Sequence, residues 1–319
     1  MQGSATQNQL DNLVHYKFGL LAFSAILFYI IYHRVSELAG AKKIRRKRVL
    51  VTGASKGLGQ QIAYEFAKHN CSIVLNGRNI KGLEKTANQC IELGAACIYI
   101  IPLQLGSKQS AEELIAETVG KLSGLDILCL NHACVSCVLE SWTENSSNQL
   151  SWEMEVNFLS FAYLTTLATP YLKMDSGMII VISCLFGVID VPAVTSFSAS
   201  KHAVEAFFKS LRFDYNNNKD GLRNISITIH RPFLLDTDRT RTMLDKFNLS
   251  NKFKFLIWNL FVSSTKDCAK SIVRSSGMNE DSYYSWMVSK LVIAIFSLCP
   301  NILAYTQTTY NVIKSKQQQ

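Results

Sequence analysis

The chain has 319 residues, of which 48% are hydrophobic and 18% charged, so it can bury one large core and is not intrinsically disordered. The formal net charge of +9 does not indicate nucleic-acid binding, because six of the charges fall within seven residues: Lys42, Lys43, Arg45, Arg46, Lys47 and Arg48. Among the nine cysteines, Cys134 and Cys137 have no matching second pair, so the sequence predicts no metal site.

An uncharged apolar run extends from Phe18 to Tyr32. A helix of this length spans about 22 Å, and flanking amphipathic side chains would extend it towards the interfaces of a bilayer core of about 30 Å. A cleaved signal peptide is the alternative, with Ala39-Gly40-Ala41 as the cleavage site. Because most of the positive charge follows the run, we favour a single-pass membrane anchor over about residues 16–33.

The same charge asymmetry predicts the orientation of the chain in the membrane. Lys17 is the only Lys or Arg before the run, whereas the basic cluster follows it closely. The positive-inside rule then places residues 42 onward in the cytosol, at the endoplasmic reticulum or another internal membrane. Four sequons argue for the lumenal side instead, and they begin at Asn70, Asn145, Asn224 and Asn248.

From residue 48, short apolar runs alternate with amphipathic stretches. The apolar runs predict six strands at Arg48–Val51, Ser72–Asn76, Cys97–Ile101, Asp126–Asn131, Met178–Ser183 and Ser226–Arg231. Helical periodicity predicts helices near residues 58–69, 80–93, 109–122, 148–173 and 197–215. Continuous apolar runs are typical of strands buried on both faces, and the alternation predicts a single α/β domain with a Rossmann-like, doubly wound parallel sheet.

Two apolar stretches in the C-terminal third depart from this alternation. One is the aromatic-rich stretch from Phe253 to Val262, and the other runs from Trp286 to Tyr305. Either stretch could belong to the core or enter the bilayer beside the anchor. We therefore divide the chain into a tail and anchor (1–41), a nucleotide-binding domain (42–285) and a C-terminal apolar segment and tail (286–319).

A glycine-rich loop follows the first predicted strand and opens the first predicted helix. Glycines allow a tight turn and close approach to a pyrophosphate, and a helix N-terminus offers free amide groups to it. This strand–loop–helix context makes the motif specific. The candidate cofactor-binding residues here are Thr52, Gly53, Ser55, Lys56, Gly57, Leu58 and Gly59.

The end of the second strand predicts which dinucleotide binds. An NAD site usually has an acidic residue there for the ribose hydroxyls, but this chain has Gly77 and Arg78. Arg78 and Lys56 could meet a 2′-phosphate, so the sequence favours NADP(H) over NAD(H).

Several motifs in order resemble those of the short-chain dehydrogenases/reductases. The T-G-x-x-x-G-x-G pattern is followed by Asn131-His132-Ala133-Cys134 and then by Met154-Glu-Val-Asn157-Phe-Leu-Ser. The resemblance covers roughly residues 15–290 and is closest to the 11β-hydroxysteroid dehydrogenase type 1 group, which also has an N-terminal anchor. It implies that Asn131, His132, Ala133, Lys201 and Thr237 contribute to the cofactor site.

The chain departs from this family at the positions that carry the chemistry. Phe197 stands where the family has its catalytic Tyr, and Cys184 stands where it has its catalytic Ser. Phe233 replaces the glycine that usually follows the sixth strand. Asn157 and Lys201 of the same catalytic set are kept.

Phenylalanine has no proton to give, and a thiol is only a weak hydrogen-bond donor. We therefore expect an NADP(H)-binding protein with weak or no conventional activity that binds a steroid- or retinoid-like lipid. The resemblance implies dimerisation through the helices near 148–173 and 197–215, with itself or with a related enzyme. The alternative is an active oxidoreductase on a lipophilic alcohol or ketone, with Cys184 or a water held by Lys201 and Asn157 as the proton donor.

Overall fold

The computed structural model describes residues 38–135, 146–190, 194–218, 220–246 and 262–283. Isolated residues are also described between 24 and 35, at 142–143 and between 254 and 259. Within these ranges the chain forms one α/β unit.

The strands form a single large sheet in which all neighbouring strands are parallel. Its order is β3-β2-β1-β4-β5-β6-β9, and β7 pairs separately with β8. The strands are β1 Arg48–Val51, β2 Ser72–Gly77, β3 Cys97–Pro102, β4 Ile127–Leu130, β5 Met178–Ile182, β6 Ser226–Arg231, β7 Leu234–Leu235, β8 Val262–Ser263 and β9 Ser282–Tyr283. The six long strands lie where the sequence predicted them.

Helices connect the strands and cover both faces of the sheet. They are α1 (residues 38–44), α2 Gly57–Lys68, α3 Ile80–Glu92, α4 Lys108–Leu122, α5 Ser147–Met154, α6 Ser160–Leu172, α7 Thr195–Asn217, α8 Asp238–Lys246 and α9 Thr265–Gly277. A π-helical turn, Glu155–Leu159, joins α5 to α6, so the predicted helix near 148–173 is continuous but locally unwound.

Alternating strand residues build two hydrophobic cores. On one face Val49 and Val51 pack with α2, α3 and α9, and on the other face Leu50 packs with α4, α6 and α7. This arrangement buries β1, β4 and β5 on both sides, as their apolar sequences predict. The Rossmann-like architecture is thus confirmed.

The sequence predicted that every strand is buried on both faces, and this prediction is wrong for β3. Cys97, Tyr99 and Pro102 are exposed, because β3 lies at the edge of the sheet. Ile98 and Ile100 are partly buried against one core, and only Ile101 is fully buried, in the other core. A short seventh strand, β9, was not predicted. Its two residues pair with His230 and Arg231 and extend the sheet at the opposite edge.

The start of the described chain is packed onto the α/β unit. Helix α1 spans the expected domain boundary at residue 41, and Gly40 lies directly against Gly277 at the end of α9. No helix among the described residues is long and apolar enough to cross a membrane. The expected anchor at 16–33 lies outside the described residues except for Ser24, Phe28 and Ile31, and the segment from Trp286 to Tyr305 lies outside them entirely.

Candidate functional site

A cleft of about 560 Å³ opens at the carboxyl ends of the parallel strands. It lies where the strand order reverses between β1 and β4, which is the usual ligand site of doubly wound sheets. Most of the predicted site residues line it together: Gly53, Ser55, Lys56, Gly57, Leu58, Gly59, Arg78, Asn131, His132, Ala133, Cys184, Phe197, Lys201 and Thr237.

The glycine-rich loop leaves no room for larger side chains. Gly53 has a φ of +66°, and a Cβ there would lie 2.8 Å from the Cα of His132. A Cβ on Gly59 would overlap the carbonyl oxygen of Gly53. No side chain caps the N-terminus of α2, and its first turn has no acidic residue. The loop therefore has the shape and the free amide groups that a dinucleotide phosphate requires.

The end of β2 carries no carboxylate. The buried Asn76 side chain donates to the carbonyl oxygens of Ile101 and Leu103, which fixes the neighbouring loop. Gly77 follows, and exposed Arg78 then lines the cleft together with Lys56. Neither cation forms an ion pair with any carboxylate among the described residues.

Thr52 is the first predicted cofactor residue that does not reach the cleft. It is fully buried, and its Oγ1 accepts from the amide groups of Asn131 and His132 while it donates to the Cys129 carbonyl. The side-chain amide of Asn131 donates in turn to the carbonyl oxygen of Thr52. Thr52 thus ties the end of β1 to the end of β4 and supports the cleft from behind.

His132 forms the floor of the cleft between two hydroxyl groups. Its Nδ1 lies 2.9 Å from Thr52 Oγ1, and its Nε2 lies 2.7 Å from Ser160 Oγ. Desolvation, followed by the charge of Lys201, lowers the pKa of His132 to about 3. The imidazole is therefore neutral at physiological pH and acts as a bridge between β1, β4 and α6.

Asn157 is the second predicted site residue that lies behind the cleft wall. It is fully buried in the π-helical turn, where its Oδ1 accepts from the Cys134 amide group at 2.7 Å. Its Nδ2 donates to the Cys134 carbonyl and to Ser200 Oγ. Asn157 therefore holds the loop after β4 against α7.

Lys201 remains inside the cleft wall without its usual phenol neighbour. Its Nζ donates to the Ile182 carbonyl oxygen at 3.1 Å and lies 5.9 Å from the centre of the Phe197 ring. It also lies 5.3 Å from the centre of the Phe161 ring. Desolvation is the main cause that lowers the pKa of Lys201.

Phe197 belongs to an aromatic cluster with Phe186 and Phe233. The Phe186 ring lies 6.5 Å from that of Phe197 and 6.3 Å from that of Phe233, both edge to face. Cys184 precedes the turn that carries Phe186, and desolvation raises the pKa of its thiol to about 11. At neutral pH this end of the cleft therefore presents three phenyl rings and a protonated thiol beside the amine of Lys201.

Sequence reasoning missed several residues of the wall. The most consequential is Arg239, which lies two residues beyond Thr237 and lines the cleft at the start of α8. Its position close to Thr237 in the sequence could have identified it as a candidate cofactor-binding residue. The other missed residues include Asn76, Leu103, Gln104, Leu105, Trp152, Val194 and Met243, and nothing in their sequence spacing distinguishes them from core residues.

Three polar side chains close to Phe197 along the chain have structural partners. Ser198 Oγ donates to the Phe186 carbonyl, Ser196 accepts from Gln149, and His202 lies on the surface near Asp190. Among the described residues, no three His, Cys, Asp or Glu side chains come close enough together to hold a metal ion.

The fold and the cleft define an α/β protein of the Rossmann type with a dinucleotide-shaped site. The sequence profile described as short chain dehydrogenase matches residues 47–247. The chain belongs to this short-chain dehydrogenase family. It is 31% identical to hydroxysteroid 11-beta-dehydrogenase 1-like protein A of Xenopus laevis over 93% of this chain and 98% of that protein.

Other relatives and solved structures agree with this assignment. The hydroxysteroid 11-beta-dehydrogenase 1-like protein of Gallus gallus is 34% identical, with 89% of this chain and 91% of that protein covered. A 7α-hydroxysteroid dehydrogenase in complex with NADH and 7-oxo glycochenodeoxycholic acid has the same fold, with a TM-score of 0.66, 20% identity, and 76% of this chain and 94% of that chain covered. An alcohol dehydrogenase of Thermococcus sibiricus in complex with 5-hydroxy-NADP superposes with a TM-score of 0.62, at 18% identity and over 74% and 95% of the two chains.

Proposed function

We propose that this protein is a membrane-anchored, NADP(H)-binding relative of the hydroxysteroid dehydrogenases with weak or no conventional oxidoreductase activity. The proposal is supported by one observation: the two ends of the same cleft differ in their chemistry. The end formed by the glycine-rich loop keeps the close backbone contacts and cations that suit a dinucleotide. The other end has Phe197, Phe186 and Phe233 where the chemistry needs a hydroxyl group.

The nucleotide half of the cleft suits NADP(H) in both shape and charge. Gly53 and Gly59 allow the backbone of the loop to pack tightly in a dinucleotide-binding shape, and the uncapped start of α2 offers amide groups to a phosphate. Lys56 and Arg78 could bind the 2′-phosphate, because neither is neutralised within the described part of the chain. Bound NADPH would supply a hydride for carbonyl reduction.

The remaining step of such a reduction is proton delivery to the new alkoxide. Phe197 has no proton to deliver, and the Cys184 thiol is only a weak hydrogen-bond donor. Lys201 still contributes a positive charge that would stabilise a cofactor ribose or an oxyanion. A positioned general acid contributes about 10²–10⁴-fold, so its loss makes turnover slow without abolishing cofactor binding.

An active oxidoreductase is the second candidate, and the retained polar set favours it. Lys201 has one hydrogen-bond acceptor, Ile182 O, among the described residues, and Asn157 is held in its buried position. A water bound by Lys201, or the Cys184 thiol, would then be the proton donor. The apolar rings fit a steroid- or retinoid-like alcohol or ketone in either case.

Cofactor binding is tested by titrating the purified full-length protein with NADPH and NADH and following the quenching of intrinsic fluorescence. We expect tighter binding of NADPH, and we expect Arg78→Glu to remove the preference. Equal affinities in the unmodified protein would contradict the assignment of Lys56 and Arg78 to the 2′-phosphate.

Turnover is tested by single-turnover oxidation of bound NADPH against a panel of steroid and retinoid carbonyls. Weak activity predicts oxidation that is orders of magnitude slower than the release of cofactor. Rates typical of enzymes, roughly 1–10³ per second, would instead support the active alternative.

We further propose that residues 16–33 anchor the protein in an internal membrane, with the domain at 42–285 on the cytosolic side. Exposure of Lys42, Lys43, Arg45 and Arg46 next to the anchor supports this orientation. Intact microsomes should then leave the domain open to protease and free of glycans. A protected domain with glycans at the exposed Asn70 or Asn224 would place it in the lumen. Dimerisation through α5, α6 and α7 belongs to the same proposal and is tested by cross-linking in detergent.

A further inference from the structure

The start of α8 brings one cation into the cleft that no part of the proposed function uses. Arg239 follows Thr237 by two residues and lines the cleft, with its side chain exposed to solvent. It forms no ion pair with a carboxylate of the described residues. Arg241, two residues further along the chain, instead binds Asp236 at 2.8 Å and stacks on Trp258 outside the cleft wall.

The position of Arg239 follows from how its segment packs. A Cβ built on Gly57 would lie 3.7 Å from the Thr237 side chain, so the segment that starts α8 lies across the glycine-rich loop. Arg239 is in the first turn of α8, a helix of nine residues, and it lines the same cleft as the start of α2. The two helix starts therefore border one cleft, in which a pyrophosphate would lie.

The Arg239 guanidinium interacts electrostatically with cations that line the cleft. Desolvation is the main cause that lowers its pKa, and the positive charge of Arg78 lowers it further, whereas Cys134 and Glu153 raise it. The charge of Arg239 also lowers the pKa of Lys201 at the opposite end. Arg239 is thus close enough to interact with the cation at each end of the cleft.

The balance of charge calls for an anion at this place. Four cations line the cleft, Lys56, Arg78, Lys201 and Arg239, against two carboxylates. Of these two lining carboxylates, Asp236 is already bound by Arg241. Glu153 and Glu205, which do not line the cleft, partly offset the charges of Arg239 and Lys201. Cations that line one cleft repel one another unless an anion lies among them.

We propose that Arg239 binds the pyrophosphate of the dinucleotide together with the glycine-rich loop. This inference rests on the proposed binding of NADP(H). It separates two tasks: Arg78 and Lys56 select the 2′-phosphate, whereas Arg239 contributes affinity that NADPH and NADH share. An arginine suits this task because its planar guanidinium can donate two parallel hydrogen bonds to phosphate oxygens.

The test compares Arg239→Gln with the matched control Arg241→Gln in the full-length protein. Both variants lose one positive charge from α8, and glutamine can still bond to Asp236. Dissociation constants are measured for NADPH, NADH and adenosine 2′-monophosphate, which lacks the pyrophosphate. We expect Arg239→Gln to weaken NADPH and NADH by the same factor, about tenfold, and to leave adenosine 2′-monophosphate within twofold. Arg241→Gln should change none of the three by more than twofold.

Three other outcomes would overturn the inference. Weaker binding of NADPH and adenosine 2′-monophosphate, with NADH unchanged, would assign Arg239 to the 2′-phosphate. Unchanged affinity for both dinucleotides, while the unmodified protein binds them, would show that Arg239 serves another ligand. If the unmodified protein binds neither dinucleotide, the proposed function fails as well, and this result is distinct from the other two.

Discussion

Phe197 shows how much chemistry depends on a single atom. The ring occupies the position from which a tyrosine hydroxyl would act, with Lys201 Nζ 5.9 Å from its centre. That ammonium group would normally lower the pKa of a phenol by favouring its charged form. Phe197 has no such oxygen, and Lys201 Nζ donates to the Ile182 carbonyl oxygen. The lysine is therefore present beside a ring that has no group to transfer a proton.

We predict that Phe197→Tyr combined with Cys184→Ser raises carbonyl reduction at least tenfold. The change adds a general acid one helical turn from Lys201 and a hydroxyl group at a position that lines the same cleft. A tenfold gain requires only about 1.4 kcal/mol of transition-state stabilisation. It is measured by single-turnover oxidation of NADPH with a steroid ketone.

Phe233 and Phe186 provide the control for this experiment. Both rings lie within about 6.5 Å of their aromatic neighbours and narrow the substrate end of the cleft. Adding Phe233→Gly to the double variant tests whether bulk, rather than the missing hydroxyl, limits the rate. A double variant that binds NADPH but gains nothing, with or without Phe233→Gly, would show that the wall has diverged beyond these positions.

Among the secondary-structure elements, α7 and β6 are joined by a buried ion pair. Arg231 donates through two nitrogens to both oxygens of Glu205, at 2.8 and 2.7 Å, and the two side chains are only 2% and 4% exposed. Lys209 and Asp281 extend the pair into a small network. Because α7 also carries Lys201, this pair fixes the helix that forms one wall of the cleft.

We predict that Arg231→Met lowers the free energy of unfolding by about 3–5 kcal/mol, because it leaves the Glu205 carboxylate buried without its main partner. The double variant Arg231→Met/Glu205→Leu should be more stable than Arg231→Met alone, since no unpaired buried charge remains. Denaturant unfolding in detergent measures both values. Additive losses in the double variant would contradict the proposed coupling.

Helices α1 and α9 meet at two glycines. A Cβ on Gly277 would lie 2.5 Å from the Gly40 carbonyl oxygen, so the helices can touch only without side chains at this point. We predict that Gly277→Ala lowers stability by about 1–3 kcal/mol, because α1 must shift.

Gly120, exposed in α4, is the matched control. A Cβ there meets nothing within 4 Å, and Gly120→Ala should stabilise the protein by about 0.5–1 kcal/mol. Thermal unfolding of both variants measures these changes. Equal shifts in the unfolding temperature of the two variants would contradict the close packing of α1.

The molecule as a whole carries two desolvated histidines, His230 in the core and His132 on the floor of the cleft, that make its stability depend on pH. Desolvation is the main cause that lowers the pKa values of His132 and His230, each to about 3. His230 lies 2.8 Å from Ser276 Oγ, so both imidazoles are held by hydroxyl groups in the neutral form. The unfolded chain has ordinary histidines with pKa values of about 6.5.

We predict that stability falls as the pH is lowered from 7 to 5. Between pH 6.5 and 3 the unfolded chain binds more protons than the folded protein, so acid favours unfolding by about 2 kcal/mol per histidine at pH 5. Asp126 and Asp281, whose pKa values are lowered by their arginine partners despite burial, add a further loss only below about pH 4.

Urea unfolding at the two pH values measures this loss. His132→Asn or His230→Gln should each remove about half of it, whatever their stability at pH 7. His202, whose side chain is 40% exposed on α7, provides the control, and His202→Gln should leave the loss unchanged. If a variant that lacks both His132 and His230 still loses stability between pH 7 and pH 5, other groups cause the loss.

Local patterns in the sequence determined the six long strands, the helices between them and the position of the glycine-rich loop. These features depend on periodicity, on glycine and on the short-range geometry of a strand–loop–helix unit, all of which are written in neighbouring residues. The replacements at positions 184, 197 and 233 were equally visible, since motif spacing alone locates them. Strands β9 and β7 were not predicted, because a strand of two residues is too short to show a periodic pattern.

What only the tertiary structure decided depends on contacts between distant parts of the chain. The sequence predicted Thr52 as a cofactor-binding residue and Asn157 as a catalytic one. Both lie behind the cleft, because packing sets which side of a strand or helix faces the site. The grouping of Phe186, Phe197 and Phe233 joins three separate loops and helices. Arg239 lines the cleft because the start of α8 packs across a loop about 180 residues earlier in the chain. Sequence spacing carries no information about such contacts, since folding brings together residues that no local rule relates.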